Sequence, residues 1–165
     1  MREENPKIII EVLVPDFQDD DVAINTVLSA RPDIFNHNLE TVRRLTPSVR
    51  SVATYERSLS VLRKVKERAL KLHTKSGLML GLGEKKGEVI QTMKDLVEAG
   101  CQILSMGQYL RPTPAHTEVI EFIHPDRFAE YKEIGESLGL KHVEAGPLVR
   151  SSYLADQQAR AVGLT

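Results

Sequence analysis

Apolar residues along this chain occur in two alternating textures. Short runs rich in aliphatic residues, "KIIIEVLV" at 7–14, "DIFNHN" at 33–38, "SGLMLGLG" at 76–83, "CQILSMGQYL" at 101–110 and "KHVEAG" at 141–146, read as strands. Between them the apolar positions space out to helical steps. Leu59, Leu62, Val65, Ala69 and Leu72 follow Tyr55 at intervals of three and four, the period of a helix with one buried stripe. Val89, Ile90, Met93, Leu96 and Val97 repeat the pattern before Gly100, a natural helix end. Pro125 opens a further helix in which Phe128, Tyr131, Ile134 and Leu138 share a face before Gly139. A shorter helix is expected over 19–30, and a polar tail after the last strand.

Strand and helix in this alternation predict βαβ units and a parallel sheet, an α/β fold that is either open and doubly wound or part of a barrel. Both architectures gather ligands at the C-terminal ends of their strands. The residues just past each apolar run are therefore the ones to weigh: Pro15, Asp16 and Phe17, then Asn36, Asn38 and Glu40, then Gly81, Gly83 and Glu84, then Gly107 and Gln108. Amides, carboxylates and glycines around one mouth suit an adenosyl or amino-acid ligand.

Length and charge narrow the classes. At 165 residues the chain makes about one domain, and no linker or low-complexity stretch divides it. Its 22 basic and 23 acidic residues balance to a net charge of −1, so neither nucleic acid nor an anionic membrane is an expected partner. No apolar run approaches the roughly 20 residues of a spanning helix, and "MREENPKIII" shows no leader pattern, which makes a cytoplasmic location the expectation. The single cysteine, Cys101, rules out an internal disulfide and any cluster held only by this chain's thiolates.

Simpler readings stand beside these. Asn38 and Glu40 equally suit the cap and first turn of a following helix. "GLGEKKGE" is equally a strand-to-helix turn whose glycines take positive φ. His37, His73, His116, His124 and His142 show no metal-ligand spacing, and Cys101 reads as a small buried hydrophobe.

Five segments taken together go further. "FNHNLETV", "YERSL", "TKSGLMLGLGE", "GQYLRPT" and "GPLVRSSY", in this order and at these separations, closely resemble the lipoyl synthases, radical S-adenosylmethionine (SAM) enzymes, from about Lys7 to Gln158. The resemblance implies one domain, with a radical SAM core over about 7–124 and a C-terminal helix and "RSSY" tail over about 125–165. Its fold would be a partial (β/α) barrel lacking the first strands. It implies SAM and two 4Fe-4S clusters, the auxiliary one consumed as the sulfur source. The reaction would place two sulfurs at C6 and C8 of an octanoyl group carried on a lipoyl domain or a glycine-cleavage carrier protein.

By position in those segments, Asn36, Asn38 and Glu40 would approach SAM and Arg57 would pair with the ligand carboxylate. Gly81 and Gly83 would admit the adenosyl group, with Lys75 and Gln108 on the same rim. Ser152 matches the serine whose oxygen holds an iron of the auxiliary cluster, with Arg150 nearby, and no catalytic residue is assigned. The family's two cysteine triplets are missing. The chain thus resembles a C-terminal half, expected to be inactive alone and to leave "KIIIEVLV" as an unpaired apolar edge; either a separate polypeptide carries the cysteine-bearing half or the reading frame is truncated. Two alternatives remain: a non-catalytic module that binds SAM or an octanoylated domain, and an unrelated α/β phosphate-binding domain built on "GLGEKKGE".

Overall fold

The computed structural model describes residues 2–164. Five parallel strands form one sheet in chain order: β1 (Glu11–Leu13), β2 (Ile34–Asn36), β3 (His73–Leu80), β4 (Ile103–Gln108) and β5 (His142–Ala145). Helices connect them: α1 (Asp21–Ser29), the short α2 (Thr46–Val49), α3 (Tyr55–Arg68), α4 (Lys86–Glu98) and α5 (Pro125–Ser137), with α6 (Ala155–Ala161) after the last strand. The sheet does not close, and its strands follow chain order without the reversal of a doubly wound sheet, so the α/β expectation resolves as an open, singly wound sheet of the partial-barrel type.

Side chains alternate across a strand, and here the alternation sorts chemistry by face. Leu78, Leu80, Leu104, Met106 and Val143 point outward into one core with Leu59 and Leu62 of α3, Met93 and Leu96 of α4, and Phe128 and Tyr131 of α5. Phe35 of β2 packs with Ile24, Val61 and Val65 in a second cluster. The periodicity indicated the buried Leu59, Leu62 and Val65 of α3 and placed α4 and α5 where they fall, but α3 ends at Arg68, before Ala69 and Leu72. Asp20 caps α1, its carboxylate accepting the N–H groups of Val22 and Ala23 at 2.7 and 2.9 Å, which sets the helix start at Asp21, two residues later than expected.

Three expectations need correction. The strand expected over 7–14 shrinks to three residues, because Asp33 intervenes: its carboxylate takes the Ile10 N–H at 2.8 Å and pairs with Arg2. A short edge strand is one way a sheet limits unwanted pairing, although Leu13 remains 58% exposed there. The strand expected over 76–83 begins earlier, at His73, because polar residues within it find buried partners. Thr74 donates to the Gly100 carbonyl at 2.8 Å, and Ser76 Oγ accepts the Leu39 N–H at 3.2 Å. The tail expected to be only polar folds into α6, whose Ala159, followed by Val162, packs against Ile34 and Ile103 on the inner face of the sheet.

Candidate functional site

The inner face and its rim bring together some of the sequence-indicated polar residues, Asn36, Asn38 and Glu40 among them. Register sets Leu13, Asn36, Lys75, Ile103 and His142 in one row across the five strands. Gly77, Ser105 and Glu144 form the row above, and Met79 and Gly107 the next toward the rim. The loop after β2 runs alongside β3, with the Glu40 N–H donating to the Gly77 carbonyl and the Met79 N–H to the Glu40 carbonyl. That path requires φ of +68° at Glu40, an uncommon conformation for a non-glycine residue. The sharp turn lifts the Glu40 side chain onto the rim.

A cleft of about 180 Å³ opens there. Asn38 and Glu40 form one wall, Gly77, Met79, Ser105 and Gly107 the floor, and Val149, Arg150 and Ser151 the other wall. The floor glycines are needed because neighbours crowd them. A Cβ at Gly107 would lie 2.1 Å from the Val149 carbonyl oxygen, and one at Gly77 would lie 2.7 Å from Asn38 Oδ1. Small-molecule sites usually enclose about 300–1,000 Å³, so this cleft is the size of part of one.

The chemistry of the wall is that of an acceptor. Burial lifts the Glu40 carboxyl above the usual carboxylate range, opposed by the Asn38 amide and the Arg50 guanidinium. Asn38 Oδ1 and, one row deeper, Asn36 Oδ1 are buried without a hydrogen-bond partner. Unpaired buried acceptors are rare and await a donor such as a ligand hydroxyl, amine or water. His37 lies beside them with Nδ1 2.9 Å from the Val14 carbonyl, which requires Nδ1 to carry the proton, and burial holds its pKa below the usual value.

The nine residues singled out from sequence divide into groups. Asn38, Glu40 and Gln108 line the cleft, and Asn36 lies just beneath, its Nδ2 donating to Glu11 at 2.8 Å. Gln108 turns its amide outward, donating to the Tyr109 and Glu121 carbonyls and accepting from the Ile123 N–H, so it anchors the following loop. Gly81, at φ +103°, accommodates that amide, since a Cβ would approach Gln108 Nε2 to 2.3 Å. Gly83, at φ +92°, accepts from Arg44 at 2.9 Å on the outer side. Arg57 is engaged by Asp16 at 2.6 Å and by the Val52 carbonyl. Arg50 is instead the guanidinium beside Glu40, donating to Ser58 Oγ at 2.7 Å.

Lys75 does not share the rim with Gln108. Register puts Lys75 opposite Ile103 and Gln108 opposite Leu80, so they stand at opposite ends of the β3–β4 pair, and Lys75 is wholly buried. Ser152 is exposed on the turn adjoining the cleft wall. Of the floor residues, Gly107 was among the strand ends singled out, whereas Gly77, Met79 and Ser105 escaped that reading. Strand alternation carried the signal, because they occupy the parity opposite to Leu78, Leu80, Leu104 and Met106.

The "GLGEKKGE" loop is closed on itself. The Glu84 carboxylate accepts the N–H groups of Gly81 and Leu82 at 2.7 and 2.9 Å, and Glu88 accepts that of Lys85 at 2.8 Å. Donors that a phosphate would require are already satisfied by the chain's own carboxylates.

Relatives narrow the remaining readings. The chain is 54% identical over 162 residues to a lipoyl synthase of Caldicellulosiruptor saccharolyticus, covering 98% of this chain and 57% of that protein. It is 56% identical over 158 residues to a lipoyl synthase of Halalkalibacterium halodurans, covering 96% and 52%. This chain is a lipoyl synthase homologue. It spans about half the length of the curated lipoyl synthases it matches. No family model matches the chain. Among solved structures, a radical SAM methyltransferase from Kitasatospora setae, with cobalamin and a 4Fe-4S cluster bound, superposes with a TM-score of 0.50 at 15% identity. That match covers 64% of this chain and 22% of the other, and supports the radical SAM type of fold. Homology to lipoyl synthases at this level sets aside the unrelated phosphate-binding domain.

Among the described residues, no helix is long and apolar enough to cross a membrane. Nor do any three His, Cys, Asp or Glu side chains among them form a group able to hold a metal. Cys101 is buried, and burial pushes its thiol up to about 12.

Proposed function

We propose that this chain is the C-terminal half of a lipoyl synthase, acting in the insertion of two sulfurs at C6 and C8 of a protein-bound octanoyl group. The observation that carries the proposal is the identity above 50% to lipoyl synthases along nearly the whole chain. Acceptors for the octanoyl substrate would be a lipoyl domain or the glycine-cleavage carrier protein. The cysteine-bearing part of the enzyme would complete the open sheet and the partial cleft.

The residues present fit the two implied cofactors differently. A 4Fe-4S cluster is held chiefly by thiolates, and the lone buried Cys101 with its neutral thiol cannot supply them. We therefore assign both clusters' thiolates to the complementary half and leave Ser152 as this chain's one contribution to the auxiliary cluster. SAM fits better. Asn36 and Asn38 offer unpaired acceptors, and Glu40 stands on the same wall to accept from a ligand hydroxyl or ammonium. When bound, SAM supplies the radical chemistry of the family; this chain's share is to orient it and to keep water from the floor of the cleft.

The test supplies the cysteine-bearing half in trans and separates the two roles. Ser152→Ala should leave deoxyadenosyl product forming while lipoyl formation is lost. Glu40→Ala should weaken SAM binding by about tenfold to a hundredfold, the worth of one charge-assisted hydrogen bond. If the complemented wild type forms no deoxyadenosyl product but still binds SAM, a non-catalytic SAM-binding module is the better reading.

A further inference from the structure

We infer that Lys75 is a positioning residue: it latches the tail onto the inner face of the sheet and so sets where the turn bearing Ser152 stands. Its ammonium lies 3.0 Å from the Glu11 carboxylate and donates to the backbone carbonyl of Ser151, 76 residues further along the chain. Glu11 in turn accepts from Asn36, so three strands of the barrel converge on one carbonyl of the tail.

The tail is pinned at three heights. Near the rim, the Gly146 N–H donates to the Met106 carbonyl and the Gln108 N–H to the Pro147 carbonyl. At the base, Ala159 and Val162 pack on Ile34 and Ile103, and buried Gln158 turns its amide to the Tyr153 carbonyl. The lysine is the tie between these two. It acts on the residue next to Ser152, whose side chain stays exposed between the anchors.

A lysine is a costly choice for an anchor. Burying a charge carries a desolvation penalty that its partner repays only in part, and apolar replacement of a buried pair is often neutral for stability. A contact that adds little to stability but fixes one backbone carbonyl in space is suited to holding geometry. Lys75 is also wholly buried and outside the lining of the cleft, its ammonium taken up by Glu11 and the Ser151 carbonyl. The latch itself stands on these contacts alone; its bearing on Ser152 rests on the proposed function.

Hydrogen exchange of the full chain, read by mass spectrometry, tests it without any cofactor. The double variant Lys75→Met with Glu11→Gln removes both charges yet keeps an acceptor for Asn36. Amides of residues 150–154 should exchange at least about tenfold faster than in the wild type, with those of α3 and α4 unchanged. Unchanged tail exchange would overturn the latch. So would a uniform acceleration through α3 and α4, which would make the pair a general stabiliser and not a positioning device. Because no SAM or cluster enters, these outcomes are independent of whether the lipoyl synthase reading holds.

Discussion

Glu40 joins an unusual backbone to an unusual carboxyl. Its left-handed φ brings it to the rim, and burial there penalises the charged form in the folded state while leaving the unfolded chain unaffected. A carboxyl raised in this way gives stability that is complete below the unfolded pKa and is lost as pH rises through the folded value. Glu40→Gln keeps the shape and removes the titration. It should therefore melt above the wild type at about pH 8, with the two curves converging at about pH 4. Thermal denaturation across that range checks the sign, and a glutamine variant less stable than the wild type at the higher pH would mean that Arg50 and Asn38 outweigh the desolvation.

At the level of elements, the cleft exists because β4 and the tail approach more closely than any side chain permits. Gly107 lies under the Val149 carbonyl with no room for a methyl group. Gly107→Ala must displace either the strand or the tail, and overpacking of this kind costs about 1–3 kcal/mol. Chemical denaturation should show that loss, and hydrogen exchange should locate it in β4 and residues 147–151. Gly87, by contrast, has open space about its Cβ and sits inside α4, where alanine is the better helix former. An alanine there serves as the control and should be neutral or mildly stabilising.

The molecule as a whole is an open sheet with helices on one face and its own tail on the other, carrying part of a site. With one cysteine, buried and held neutral, the chain has no thiolates to offer a cluster. Reconstituted alone with iron and sulfide, it should retain far less than one cluster per chain, and Cys101 should resist alkylation at about pH 8 until denaturant is added. Iron analysis and thiol counting measure both. About four irons per folded chain would contradict the assignment of the thiolates to a complementary half.

Hydrophobic spacing by itself determined the alternation of strands and helices, the parallel α/β class and the faces of α3, α4 and α5, because burial of apolar side chains imposes one period on a helix and another on a strand. The five family segments likewise carried the relationship to lipoyl synthases, since residue identities in register need no coordinates to be recognised. Tertiary structure alone decided the rest. It shortened β1 through the reach of the Asp33 carboxylate and lengthened β3 through buried partners for Thr74 and Ser76. It also turned a polar tail into a helix packed on the inner face, and placed Lys75 under that tail and not on the rim. Each of these depends on a polar group meeting a partner far away in sequence, and such meetings leave no periodic trace along the chain.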